Sequence, residues 1–255
     1  MRQPQNWIVI PIYNQLTLTR DAISTALAQD IPGGVQVLVV IDRGDDGVAH
    51  WLRSQRPRVQ VVEAPGCGVS KAWNLALDHV FNTMRSEHAL VVNSDVRLRP
   101  DTYSCLVGDG GSFVTCVGTS SGAKFPGGVP SGRVRPHPDF SCFLIRRELR
   151  DRIGPFDAAM RIYCSDGDYH LRMQKAGVSA YCLDLPFYHY ASGALKQTDP
   201  DDRERILKIA GQDREVFRNK WGFEMGGTEY YEQFKNPEAP ASEPPLEEND
   251  FNVEP

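Results

Sequence analysis

The sequence predicts an α/β fold, a mostly parallel sheet flanked by helices. Strand-sized apolar runs alternate with helix-sized amphipathic segments through the first half of the chain. Each helix follows its strand within a few residues, as in βαβ units. With 255 residues at 41% hydrophobic content, the chain can bury one sizeable core.

The elements read in order as follows. Strands fall at Trp7–Ile10, Val35–Ile41, Val59–Glu63 and Ala89–Val92. Between them lie helices at Leu16–Gln29, with Leu16, Ile23 and Leu27 on one face, at Val48–Arg53 and at Val69–Phe81. Ligands in such sheets bind beyond the carboxyl ends of the strands, where Tyr13, Asn14, Asp42, Gly66–Ser70 and Asn93–Asp95 fall. After Pro100 the pattern loosens. Phe113–Val117 and Ser141–Ile145 read as strands, separated by the Gly/Pro/Ser-rich loop Thr119–Pro138, whose length suggests function or mobility. A helix from Asp166 to Lys175 stops at Gly177, and Ser179–Cys182 and Phe187–Tyr190 follow as two short strands. The last helix, Asp202–Lys220, puts Ile206, Ala210, Phe217 and Trp221 on one stripe. The expected organisation is one domain over 1–222, a C-terminal extension over 223–235 and a disordered, acidic, Pro-rich tail over 236–255.

The net charge of −5 owes six carboxylates to that tail, and the rest of the chain is near +1. Composition alone therefore neither demands nor excludes a polyanionic partner. No apolar run reaches the length of a signal-peptide core or a membrane span, so a cytoplasmic protein with no transmembrane segment is expected. The six cysteines form no C-x-x-C pair and read as free thiols in the core.

Three acidic clusters sit just past strand ends: Asp42 with Asp45 and Asp46, then Asp95, then Asp166 and Asp168. Singly, each suits a turn or helix cap. Together at one sheet edge they repel, and a hard divalent cation with phosphate oxygens is the usual reason to gather them. Around Gly66–Asn74, glycines let the backbone approach a ligand, the helix start offers amide donors to a diphosphate, and Lys71 adds a cation.

Seven segments occur in a telling order: IVIPIYNQ, VLVVIDRGDDG, GCGVSKAWNLAL, VVNSDV, FSCFLIRRELRDRIGPFD, CSDGDYHLRMQKAG and FYHYASG. Over roughly residues 7 to 221 this series resembles the inverting glycosyltransferases of family 2, which have the GT-A fold: a Rossmann-like, mostly parallel sheet with a smaller, mixed acceptor-side sheet. The resemblance implies a hexosyltransferase that uses a nucleoside diphosphate sugar, UDP-linked by expectation, with Mn²⁺ or Mg²⁺. It implies donor contacts from Pro11, Tyr13, Asn14, Asp42, Gly68, Lys71, Asn74, Asn93 and Ser94, with Asp42 on the uracil or ribose. It implies Asp95 as a metal ligand and His189 as a second ligand or phosphate contact. Inversion requires a base for the acceptor hydroxyl. The matching helix start offers Asp166, with Asp168 as alternative; one of the two is expected as a helix cap, and Arg172 lies four residues after Asp168. Trp73 stands where the family has an arginine, and Ser165 where it has a glutamate.

Those two departures keep a second reading open, a nucleotide-sugar-binding domain without catalysis. A nucleotidyltransferase ranks behind both, because Tyr13, Asn14 and Gln15 replace the Gly-rich basic loop it needs after the first strand. The expected acceptor is a glycan, lipid-linked sugar or protein. Lys124, Arg133, Arg135, His137, Arg146, Arg147, Arg150 and Arg152 admit a nucleic acid, although no aromatic residues are interleaved with them.

Overall fold

The computed structural model describes residues 6–44, 46–119, 133–135, 140–190 and 199–234. The expectations for Asp45, for Lys124 and His137 in the loop, and for the tail 236–255 lie outside the described residues.

Among the described residues, nine strands form one mixed sheet in the order β3-β2-β1-β4-β8-β6-β9-β5, with β7 also paired to β9. The first four, β1 (Trp7–Tyr13), β2 (Gln36–Arg43), β3 (Val59–Glu63) and β4 (His88–Val92), are mutually parallel. Helices α1 (Leu16–Leu27), α2 (Asp46–Ser54) and α3 (Val69–Asp78) connect them, and α3 runs on into a π-helical turn at His79–Thr83. The second half adds β5 (Val96–Arg97), α4 (Thr102–Asp109), β6 (Phe113–Thr119), β7 (Arg133–Arg135), β8 (Cys142–Arg146) and α5 (Arg147–Ile153). It closes with α6 (Ser165–Lys175), β9 (Tyr181–His189), α7 (Pro200–Trp221) and α8 (Thr228–Glu232).

Strand periodicity splits the core into two layers. Ile8, Ile10, Val37, Val39, Leu90 and Val92 face α1, α2 and α4. Trp7, Val9, Leu38, Val40, Ala89 and Val91 face α3, α5 and α6. Both faces of the central strands are thus covered, which is why they read as unbroken apolar runs. A third cluster joins Cys164 and Leu171 of the α6 region to Phe217 of α7 and Tyr230 of α8. The residues after α7 therefore pack on the body. The fold is α/β, one mixed sheet flanked by helices, consistent with the GT-A type that the resemblance implies.

Two expectations change. The two short strands at 179–182 and 187–190 are one strand, β9, whose register against β6 shifts between Cys116 and Val117 so that Leu183 and Pro186 take successive partners. The slack absorbs Pro186, which a regular ladder would not accept. The stretch after Pro100 also carries α4 and α5, short helices with too few turns for a periodic signal.

Candidate active site

The site lies beyond the carboxyl ends of β1, β2 and β4. After β1 the chain turns through Asn14 and Gln15, both with positive φ (54° and 61°), a conformation that non-glycine residues adopt at a cost. The Asn14 amide donates to the Arg43 carbonyl at 2.6 Å and the Thr19 hydroxyl to the Asn14 carbonyl at 3.2 Å, which hold the turn. Pro11 pairs with Val40 within the sheet. The Tyr13 hydroxyl accepts a hydrogen bond from Arg205 of α7. Asp202, on the first turn of the same helix, pairs with Arg43 and lies 3.5 Å from Arg205. The C-terminal helix thus forms part of the rim around Tyr13.

Asp42 ends β2. Its Oδ1 is buried and makes no hydrogen bond among the described residues. An acceptor withdrawn from water and left unmatched is costly unless a ligand donor meets it. The adjacent Cys67 thiol is pushed up to about 11, first by burial and then by the Asp42 charge and a hydrogen bond with the Asp42 carboxylate, whose Oδ1 stays without a geometric partner among the described residues. The Gly66 amide donates to the Asp42 carbonyl at 3.1 Å and brings the Gly66–Ser70 turn alongside. Lys71 is exposed on the first turn of α3. Trp73 is buried among Phe143 and Phe156, where no arginine could serve a phosphate.

Asn74 has a different task from the one expected. Its amide donates to the Phe156 carbonyl at 2.8 Å and its oxygen accepts from the Phe156 amide at 2.9 Å, so both ends are spent tying α3 to the Gly154–Asp157 turn.

At the end of β4 the Asn93 amide donates to the Ser141 carbonyl at 2.9 Å, and Ser94 and Asp95 are buried. The pairing of β5 with β9 sets Val96 opposite His189 and brings His189 Nε2 to 3.4 Å from Asp95 Oδ1. Residues 94 positions apart in sequence therefore form one donor pair. Among the described residues no group of three or more His, Cys, Asp or Glu could hold a metal ion. A pair suits Mg²⁺ or Mn²⁺, which keep waters and complete their shell with substrate phosphate oxygens.

Asp166 stands half-buried in the first turn of α6, launched by Cys164 in the left-handed region (φ 67°). Burial first and the Asp166 charge second push the Cys164 thiol up to about 12 and raise the Tyr230 hydroxyl. Asp168, expected as alternative base or helix cap, is neither. It is 0% exposed, the helix already starts at Ser165, and its carboxylate accepts from Arg172 Nε at 2.9 Å and Trp221 Nε1 at 3.1 Å and lies 2.7 Å from Lys220 Nζ. A carboxylate so enclosed cannot reach an acceptor. A cleft of about 440 Å³ beside it is lined by Asn74, Phe156, Asp157, Arg172 and Lys220, whose cations are already paired with Asp157 and Asp168.

The arginines around α5 are equally committed. Arg146 donates to the carbonyls of Gly111 and Val107, Arg147 to Ser86, Arg150 to Asp78, and Arg152 to Ala176. They staple helix ends and turns.

Sequence reasoning missed Arg205, Asp202, Arg161 and Asp213. One signal was available: Asp213 lies on the apolar stripe of α7 between Ala210 and Phe217, where a carboxylate needs a partner.

The fold is shared with solved structures. The mannosyltransferase PcManGT from Pyrobaculum calidifontis, in complex with GDP-Man and Mn²⁺, matches with a TM-score of 0.58 and 18% identity over 84% of this chain and 72% of that one. S. aureus TarS 1-349 matches at 0.54 with 16% identity over 90% and 77%, and its complex with UDP-GlcNAc at 0.52 with 14% identity over 90% and 78%. No curated protein sequence matches the chain. Among the described residues no helix is long and apolar enough to cross a membrane. The profile of glycosyl transferase family 2 matches residues 7–163, which include all four strands of the parallel half, and the chain belongs to that family.

Proposed function

We propose that the protein transfers a sugar, with inversion, from a UDP-linked donor to an acceptor hydroxyl of a glycan, a lipid-linked sugar or a protein. The observation that carries this reading is the Asp95–His189 pair at 3.4 Å, set at the same sheet edge as the unmatched Asp42 oxygen. Asp42 takes hydrogen bonds from the nucleoside, with Pro11, Tyr13 and Asn14 around the base. Gly68, Lys71, Asn93 and Ser94 flank the diphosphate, and Asp95 with His189 holds the divalent ion. When bound, that ion supplies positive charge against the departing diphosphate. Asp166 takes the acceptor proton as the nucleophile attacks opposite the leaving group. The fold neighbours solved with GDP-Man and with UDP-GlcNAc support a nucleotide-sugar donor and leave both bases to be tested. The catalytic unit spans 1–222, and the extension that follows braces α6.

A thermal-shift screen of UDP-glucose, UDP-GlcNAc and GDP-mannose, with and without Mn²⁺, tests the reading, because a ligand that binds only the folded state raises its melting temperature. A metal-dependent shift with slow release of the nucleoside diphosphate supports it. A shift with no release would favour the binding domain without catalysis, for which the buried Trp73 is the structural argument. No shift with any donor would overturn it.

A further inference from the structure

We propose that Asp213 is a positioning residue that fixes the donor-side turn and the start of the Asp166 helix relative to each other. This deepens the reading above and rests on it. Asp213 is 1% exposed on α7. Its Oδ1 accepts from the Arg161 amide at 3.0 Å, and its Oδ2 from the amides of Ile162 at 2.7 Å and Tyr163 at 2.9 Å. Successive amides converging on one point make an anion-binding concavity, and here the chain fills it with its own carboxylate. A buried carboxylate is tolerable only when hydrogen-bonded in this way.

The loop so held touches both halves of the site. Toward the donor, the Arg161 guanidinium donates to the Gly66 carbonyl at 2.7 Å, the Ser70 amide donates to the Arg161 carbonyl at 3.3 Å, and the Ser70 hydroxyl donates to the Met160 carbonyl. Gly68 (φ 77°) lies so close that a Cβ there would stand 2.5 Å from the Arg161 carbonyl oxygen. Toward the acceptor, the same loop leads through Cys164 (φ 67°) into α6 and Asp166. Gly66–Ser70 and Asp166 thus share one short segment of main chain, and its shape is dictated by three hydrogen bonds to a single side chain. Turnover needs base and donor in register, and a shift of about 1 Å in such a site costs on the order of 100-fold in rate.

The test uses the full chain and three variants. Asp213→Asn keeps the shape but turns an NH₂ group toward the amides, so at least one bond is lost. Asp213→Glu restores the charge on a longer stem. Leu52→Ala, on α2 in the opposite core layer, supplies a comparable loss of melting temperature without touching the loop. Amide hydrogen exchange at Arg161–Tyr163 reads the loop with no substrate present. The kcat and KM for nucleoside diphosphate release from UDP-glucose, UDP-GlcNAc and GDP-mannose with Mn²⁺ read the site. The expected result is faster exchange at those amides and a kcat lowered about 100-fold in Asp213→Asn, partial recovery in Asp213→Glu, and an unchanged kcat in Leu52→Ala. Exchange unaltered in Asp213→Asn, or an equal loss of kcat in Leu52→Ala, would overturn the positioning role while leaving the transferase reading intact. A wild-type protein that releases no nucleoside diphosphate would overturn the transferase reading, and the positioning role with it.

Discussion

The indole Nε1 of Trp221 donates to Asp168 Oδ1 at 3.1 Å, joining the last residue of α7 to the helix that carries Asp166. Lys220 reaches the same oxygen at 2.7 Å and Asp157 at 2.7 Å, so one turn of α7 closes around the start of α6.

Asp168→Asn is therefore expected to destabilise the protein by on the order of 2–4 kcal/mol, because it leaves Arg172 and Lys220 without their buried counter-charge. Chemical denaturation measures it. A change below about 1 kcal/mol, the value of a surface cap, would show that the network is not coupled to folding.

Asp166→Asn keeps volume and one acceptor but cannot take a proton. Nucleoside diphosphate and Mn²⁺ should bind as in the wild type, while transfer falls by roughly 10²–10⁴-fold, the usual value of a general base. Paired calorimetry and turnover measurements decide, and weakened donor binding would move Asp166 to the donor side.

Asp95→Ala and His189→Ala should each abolish the Mn²⁺-dependent part of UDP or GDP binding and leave melting temperature nearly unchanged without metal. Calorimetry with and without Mn²⁺ is the check. Equal affinity in both variants would remove the pair from the metal site.

His88 predicts an acid-side loss of stability. Burial first, then the nearby Arg146 charge, lower its pKa from the usual histidine value, and its Nε2 has no hydrogen-bond partner among the described residues. The unfolded chain binds the proton more readily, so this contribution is intact above the unfolded value of about 6.5 and is lost as pH falls through the lower folded value. Melting temperature should fall between pH 7 and pH 5, and His88→Gln should flatten that slope. An unchanged slope would exclude His88 as the cause.

What the sequence revealed follows from where the signal is local. The parallel half was legible because its strands are buried on both faces and its helices follow at short spacing, with Asp42 at the end region of β2 and Asp95 just past β4, while Asp166 was marked by the helix start it occupies. Asp168 was misread because nothing near it in sequence reveals Lys220 and Trp221, which arrive from another helix about fifty positions on. Asn74 looked like a ligand contact for the same reason, its partner being the main chain of Phe156. The joining of β9 across Pro186 was hidden because a bulge cancels the rule that excludes proline from strands. The nearness of Asp95 and His189 was suggested by resemblance alone, since it depends on a two-residue strand, β5.

The grip of α7 on the loop before α6 also bears on how the protein is made. Asp42, Asp95 and Asp166 leave the ribosome before Asp213, Lys220 and Trp221, by a few seconds for Asp166 and by roughly ten seconds or more for Asp42, at about 5–20 residues per second. Until those late residues arrive, Asp168 lacks two of its partners and the amides of Arg161–Tyr163 lack their acceptor. The strands that carry Asp42 and Asp95 can assemble during synthesis, while the Gly66–Ser70 turn and the start of α6 take their final setting only after the last long helix has been made.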